Sequence, residues 1–281
     1  MKSQRTHRKC FSFEFFPPNT TEGAAKLAET ARQLAVLKPE FFSVTYGAGG
    51  STRERTLKAV LDLCKAGHAA APHVSCIGAS RASIREIVQE YKNNGIRHLV
   101  ALRGDLPSGT ATSGEFQYAN ELVAFIRDEF GSQFFIEVAA YPEYHPQARS
   151  AQDDLNAFKR KVEAGADSAI TQYFFSADCY FRFVEDCEAM GLKVPIVPGI
   201  MPIGRFSQLA RFSDACGAEI PRWIRKKLEG YGDDTESIRA FGLDVVTRMC
   251  ERLLAQGAPG LHFYTLNQAS LTTAIWQRLG L

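Results

Sequence analysis

The stretch Phe11-Ser12-Phe13-Glu14-Phe15-Phe16-Pro17-Pro18 alternates aromatic and polar side chains and then halts at two prolines. A strand sends successive side chains to opposite faces, so Phe11, Phe13 and Phe15 share one face while Ser12 and Glu14 share the other. Three aromatics on one face need a covering layer. The polar pair then points to the opposite side, as it does in an inner strand of a closed sheet clothed by helices.

Seven more runs of β-branched or aromatic residues follow: Phe41 to Tyr46, Pro72 to Ile77, His98 to Leu102, Phe135 to Tyr141, Ser168 to Phe174, Val194 to Met201 and Gly260 to Leu266. Between them, apolar residues recur at helical spacing, as in Leu57, Val60, Leu61 and Cys64, or Ile84, Ile87, Val88 and Tyr91. Ser51 with Glu54 and Ser83 with Glu86 have the spacing of a capping box at a helix start. Eight strands alternating with helices over 281 residues predict an α/β fold, a (β/α)8 TIM barrel. The stretch from Arg205 to Gln256 exceeds one crossover, so extra helices are expected between strands 7 and 8, around Pro221 to Leu228 and Glu236 to Ala255. Residues 1–9 read as a mobile N-terminal arm, and 10–281 as a single catalytic domain.

Composition narrows the partners. Thirty-three basic against 31 acidic residues leave a formal charge of +2, too balanced for a nucleic-acid or anionic-membrane binder. No apolar run approaches the roughly 18 residues of a membrane span. Seven scattered cysteines without a C-x-x-C pair point to a reducing, cytoplasmic setting rather than a disulfide framework. A small-molecule partner remains.

Applying the alternation to every strand puts Ser43, Thr45, His73, Ser75, Arg103, Glu137, Tyr141, Gln172, His262 and Tyr264 on the lumen face or its rim. Barrel interiors are normally filled by branched apolar side chains, and barrel active sites sit at the C-terminal ends of the strands. A polar set gathered there implies a ligand. Each residue also has a plainer reading: Glu14 as a solvent-facing strand residue, His73 or His262 as a hydrogen-bonded core histidine, Arg103 and Asp105 as a loop ion pair. The pattern contains no G-x-G-x-x-G after a strand, no Walker loop, no H-E-x-x-H and no lysine within the eight strands. Three readings stay open on the residues alone: a cofactor-dependent enzyme, a metal-dependent barrel lyase using Glu14, His73, Asp105 and His145, and a non-catalytic binding protein.

A set of motifs spread from Phe11 to Leu279 narrows the choice. Phe13-Glu14-Phe15-Phe16-Pro17-Pro18, Ser43-Val44-Thr45-Tyr46-Gly47, Ala71-Pro72-His73, Asn94-Gly95-Ile96-Arg97-His98, Ala101-Leu102-Arg103-Gly104-Asp105, Ala139-Ala140-Tyr141-Pro142-Glu143, Thr171-Gln172-Tyr173-Phe174-Phe175, Pro198-Gly199-Ile200-Met201-Pro202 and His262-Phe263-Tyr264-Thr265-Leu266-Asn267 together resemble the short bacterial type of 5,10-methylenetetrahydrofolate reductase. The resemblance implies an FAD-dependent barrel. It would pass hydride from NADH or NADPH through the flavin to methylenetetrahydrofolate in a ping-pong sequence, giving 5-methyltetrahydrofolate for methionine synthesis. A homo-oligomer is implied, and no metal.

Carried over by motif, the resemblance makes Glu14 the general acid and places Asp105 beside the flavin, where it sets the flavin's electronics. FAD would meet Thr45, Tyr46, Ala48, His73, Arg103, Gly104, Asp105, Ala119, Tyr141, His145, Ala148, Asp154, Arg160 and Lys161. Folate would meet Glu14, Asp105, Gln172, Gln208, Phe212, Tyr264 and the position of Gln268. Arg103 and Lys161 suit a diphosphate because fixed cations complement its charge. A carboxyl flanked by Phe13, Phe15 and Phe16 is expected to have a raised pKa, which suits a proton donor to a weakly basic ring nitrogen. Two positions depart from the pattern. Gln268 stands where some members carry an arginine for the folate tail, and a neutral amide cannot supply that charge. Ala157 is polar in some relatives.

Overall fold

The structure, a computed structural model, describes residues 1–46, 51–104 and 114–281. Its strands are β1 (Cys10–Phe15), β2 (Phe41–Val44), β3 (Ala70–Ser75), β4 (His98–Leu102), β5 (Phe135–Ala140), β6 (Ser168–Thr171), β7 (Ile196–Val197), β8 (Gly199–Ile200) and β9 (Gly260–Tyr264). All pair in parallel, in the order β7-β6-β5-β4-β3-β2-β1-β9-β8. The two ends of that order are neighbours in sequence, so the sheet curls into a (β/α)8 barrel. Helices α1 (Thr21–Ala35), α2 (Ser51–Lys65), α3 (Arg81–Asn93), α4 (Ala119–Phe130), α5 (Ala151–Glu163) and α6 (Ala177–Ala189) follow β1 to β6 in turn. Three more, α7 (Phe206–Cys216), α8 (Arg222–Tyr231) and α9 (Thr235–Gln256), precede β9, and α10 (Ser270–Arg278) follows it.

One expected strand, Val194 to Met201, is in fact two. Pro198 has no N–H to give to a ladder, so the chain breaks there. β7 pairs with β6, and β8 pairs with β9. The Pro198 carbonyl still accepts the His262 N–H at 3.0 Å, which carries the closure across the break. The expected β3 is displaced two residues toward the N-terminus, and Thr45, Tyr46, Tyr141 and Gln172 leave the ladder and sit in loops just beyond their strands. Helices α8 and α9 match expectation closely, whereas α7 had no counterpart.

Two local readings need correction. Ser83 does not cap α3: the helix starts at Arg81, Ser80 accepts the Ser83 N–H, and Ser83 reciprocates on the Ser80 backbone. The capping pair is therefore Ser80 with Ser83, one turn before the pair expected. The side chain at Ser51, expected to pair with Glu54, lies outside the described residues. The N-terminal segment, expected as a mobile arm, packs against the barrel. A 3-10 turn at Gln4–Thr6 docks it, with the buried Gln4 side chain donating to the Val194 carbonyl at 3.1 Å and accepting the Ile196 N–H at 2.8 Å. Ser3 adds backbone and hydroxyl bonds to Glu188, each 2.7 Å. A buried amide filling an edge left by the short β7 holds the segment in place.

The aromatics of β1 face the helices as the alternation requires. Phe13 packs on Phe42, Phe263 and the α10 residue Trp276 at ring distances of 6.0, 5.8 and 5.8 Å, and Phe15 stacks on Phe42 at 5.3 Å. Each fully buried phenylalanine contributes about 1.5–3 kcal/mol. Inside the barrel, Phe41, Ala71, Val100 and Ile170 form a separate apolar layer. That layer closes the lumen from below and leaves its polar half facing the C-terminal ends of the strands.

Candidate active site

A cavity of about 520 Å³ opens at the C-terminal end of the barrel. The strand ends and following loops bring together Glu14, Thr45, Tyr46, His73, Tyr141, His145, Gln172 and Tyr264, and α7 adds Phe212. Nine of the residues singled out from sequence thus line one wall or another of a single space. Strand register explains the centre of it: in the parallel pairing Glu14 stands opposite Ser43 on one side and Tyr264 on the other.

Glu14 is the hub of the polar contacts. Its Oε2 accepts from Ser43 Oγ at 3.3 Å and from His262 Nε2 at 3.3 Å. The far nitrogen of that ring, Nδ1, is 2.7 Å from Ser12 Oγ, so one imidazole links the two polar residues of β1. His73 Nε2 lies 3.2 Å from the same carboxylate oxygen but out of line for a hydrogen bond, which leaves this buried nitrogen without a hydrogen-bond partner. Burial is the largest single influence on the Glu14 carboxyl and pushes it up. The charge on His73 and the hydrogen bond from His262 outweigh it and hold the carboxyl at about 2.

This overturns the expectation of a raised pKa. Phe13 and Phe15 face the helices, not the carboxylate, and the groups that do face it are imidazoles. Phe16, the third aromatic invoked, is half-exposed at the cavity rim.

The remaining singled-out residues are placed as follows. Arg103 sits in the loop after β4, donating to Gln147 Oε1 at 2.6 Å and to the Gly104 carbonyl at 3.1 Å. At Gly104, which has φ +83°, a Cβ would lie 2.0 Å from Ser75 Oγ, so the backbone presses directly against β3. Lys161 reaches from α5 to donate to the Ala139 carbonyl at the end of β5, and burial pushes its amine down to about 8. Asp154, on the same helix, accepts the His145 N–H at 3.0 Å and borders a smaller cleft with Tyr144 and Arg182. Ala148 donates its N–H to the His145 carbonyl, Ala119 opens α4, and Arg160 is exposed on α5. Gln208 is half-buried on α7, and Gln268 is exposed beyond β9. None of these nine is among the lining residues. Ala48 and Asp105 lie outside the described residues.

Several lining residues were not singled out beforehand, among them Gln147, Tyr173, Met201, Cys216 and Leu266. Ala139 and Ile170 were readable in principle, since they share the parity of Tyr141 and Gln172; Leu102 was not, because the expectation placed its neighbour Arg103 on the lumen side and the strand turns Val100 and Leu102 inward instead. Tyr173 and Cys216 were not, because their meeting depends on where α7 docks. Tyr173 Oη is 3.1 Å from Ser213 Oγ, and the Cys216 thiol reaches it at 3.4 Å. Glu137, expected on the lumen face, lies in the lumen on His98 (3.3 Å), away from the lining residues.

Comparison with known proteins adds identity to this geometry. The family model described as methylenetetrahydrofolate reductase matches residues 1–280. The 5,10-methylenetetrahydrofolate reductase of Escherichia coli (strain K12) is 45% identical over 272 residues, covering 96% of this chain and 90% of the relative. An Arabidopsis thaliana protein named methylenetetrahydrofolate reductase (NADH) 1 is 38% identical over 288 residues, covering 96% of this chain and 48% of that longer protein. Among solved structures, an uncharacterised Clostridium thermocellum protein described as binding two copies of 5-methyl-5,6,7,8-tetrahydrofolic acid has a TM-score of 0.66 at 16% identity, covering 98% of this chain and 95% of that one. At that identity the likeness speaks for the fold.

Proposed function

The chain belongs to the methylenetetrahydrofolate reductase family and is an oxidoreductase acting on methylenetetrahydrofolate, and from that premise we propose that it works with FAD, taking hydride from NADH or NADPH and releasing 5-methyltetrahydrofolate for methionine synthesis in the cytoplasm. The observation that carries the reading is the single cavity in which Glu14, His73, Gln172 and Tyr264 face one another at the strand ends. Nicotinamide and folate would use it in turn. A homo-oligomeric state is part of the same proposal.

The residues present fit FAD. Arg103 and Lys161 offer a guanidinium and a buried amine for a diphosphate. Thr45, Tyr46, His73, Tyr141 and His145 line the adjoining cavity for a flat ring system. Ala48, Asp105, Ala119, Ala148, Asp154 and Arg160 complete the proposed cofactor contacts. When bound, FAD supplies the two-step hydride carriage that no amino-acid side chain can perform.

What the chain itself contributes is position and a proton. Glu14 and Gln172 would hold the folate ring, with Tyr264, its hydroxyl tied to the Thr171 carbonyl at 2.7 Å, and Phe212 as walls. Gln208, Asp105 and Gln268 would meet the folate farther out. Opening the five-membered ring needs a proton on a ring nitrogen. A carboxyl held at about 2 keeps little acid of its own near neutrality, so Glu14 would act with the imidazoles beside it, passing on a proton that His262 or His73 makes good.

Purification with spectroscopy tests the reading. A yellow protein that bleaches anaerobically with NADH or NADPH and recovers its colour on methylenetetrahydrofolate is expected, and a protein that takes up no flavin would overturn it. Glu14→Gln should slow the folate half-reaction by about 10²-fold or more while leaving reduction by nicotinamide within about threefold. Equal loss in both halves would remove Glu14 from the proton step.

A further inference from the structure

Two segments of different origin meet beside the cavity. The loop after β5 contributes His145 and Pro146 to its wall, and α7 contributes Phe212 and Cys216. The first carries proposed flavin contacts and the second proposed folate contacts. They touch where the Pro146 ring meets the chain just past α7: a Cβ at Gly217 would lie 2.7 Å from Pro146 Cγ.

Glu143 sits in that loop and is not among the cavity-lining residues. Its Oε2 accepts the backbone N–H of Glu219, in the connection between α7 and α8, at 2.8 Å. The Cys179 thiol of α6 is a second hydrogen-bond neighbour of the same carboxyl, and Arg182 is close by. Beside the Glu219 N–H, Ala218 and Ile220 are buried in the core, while Asp214, Ala215, Gly217 and Glu219 itself are exposed. The loop side is anchored independently, through His145 on Asp154 and Gln147 on Arg103. One carboxylate therefore joins a well-anchored loop to the turn that follows α7.

We propose that Glu143 is a positioning residue: by holding Glu219 it sets the gap between the flavin-side loop and α7, and so governs affinity for both ligands while touching neither. The proposal rests on the reading of function above. A bond from an N–H to a carboxylate is among the stronger kinds, and its loss removes the polar tie between the loop and the end of a helix that carries Phe212.

Three variants separate positioning from bulk stability. Glu143→Gln keeps an oxygen able to accept the Glu219 N–H, Glu143→Asp withdraws the acceptor by one methylene, and Glu143→Ala removes it. The Asp and Ala variants should raise the FAD Kd, read by flavin fluorescence quenching, and the folate KM about tenfold each, with kcat within about twofold. The apoprotein Tm should stay within about 3 °C of the parent. The Gln variant should restore both constants to within about twofold. Amide exchange at Glu219 should be faster in the Asp and Ala variants in the absence of any ligand, a readout that survives even if the parent binds no flavin and the functional reading fails. Should the Ala variant not fold, the Asp and Gln pair decides. The proposal is overturned if Gln behaves like Asp, if neither constant moves in the Asp variant, if Tm and kcat fall together, or if Glu219 exchange is unchanged.

Discussion

Taking both imidazoles away from Glu14 should turn a carboxyl that is ionised throughout the working range into one that titrates above its ordinary value. The structure supplies the magnitude. From the ordinary 4.5 to about 2 is a gap of about 2.5 units, or roughly 3 kcal/mol at about 1.36 kcal/mol per unit. That gap is a net result, because burial, the largest influence, acts upward. The imidazoles together therefore contribute more than the net figure. In a His73→Gln, His262→Gln double variant, burial is left opposed mainly by Ser43 at 3.3 Å, and the Glu14 carboxyl is expected above 4.5. Infrared difference spectra against Glu14→Gln would follow its protonated band as pH is lowered. Stability gives a second readout. In the parent the folded-state value is depressed, so ionised Glu14 stabilises fully above about 4.5, and that contribution is lost as pH falls from there toward about 2. In the double variant the sign is reversed, a raised value costing stability at neutral pH. The gap in unfolding free energy between parent and variant should therefore narrow below about pH 4.5. A variant carboxyl still ionised at about pH 3, or a gap that does not change with pH, would refute the account of how this site is charged.

Two other outcomes follow from separate parts of the structure. With its amine at about 8, Lys161 should bind a diphosphate best while protonated, so FAD affinity should weaken as pH rises through about 8, by up to roughly tenfold per unit, and Lys161→Arg should flatten the dependence in a quenching titration. At Gly260 the backbone has φ +132° and a Cβ would fall 1.6 Å from the Cys10 carbonyl, so Gly260→Ala should force β1 and β9 apart at a cost above about 3 kcal/mol and lower Tm by about 6–12 °C in a thermal melt.

Much of the barrel was legible because its signals are local. The alternation in Phe11 to Phe16 correctly separates the helix-facing aromatics from Ser12 and Glu14, and period 2 extended to other strands finds Ser43, His73, Gln172 and Tyr264. What failed to read out depended on partners distant in sequence. Phe13 and Phe15 adjoin Glu14 in the chain, yet the charge on Glu14 is set by His73 and His262, 59 and 248 residues away. The docking of Gln4 into β7 could not be seen either, since the strand it completes is short only because Pro198 divides the run. Helix α7 carries a half-polar face, Gln208 and Ser213 among its apolar residues, and its part in the cavity is decided by Tyr173 and Glu143 on other elements.

The closure between β1 and β9 shows how the fold converts an ordinary constraint into a site. Two residues past β9, Leu266 and Asn267 adopt positive φ of 52° and 56°, a conformation costly for leucine and tolerated by asparagine. The Asn267 side chain offsets that cost. Its Oδ1 accepts the Phe16 N–H at 2.9 Å and its Nδ2 donates to the Phe16 carbonyl at 3.0 Å, standing in for the next rung that neither strand continues. Thr265 adds a hydroxyl bond to the Glu14 carbonyl at 2.6 Å. The backbone on both sides of Glu14 is thus clamped to the segment after β9, and Phe16 and Leu266 are carried to the cavity rim by the same clamp. With the apolar layer of Phe41, Val100 and Ile170 below, the carboxylate cannot retreat into the lumen. Its freedom is confined to the side open to the cavity, which is the side from which the proposed proton step to a bound ring would be made.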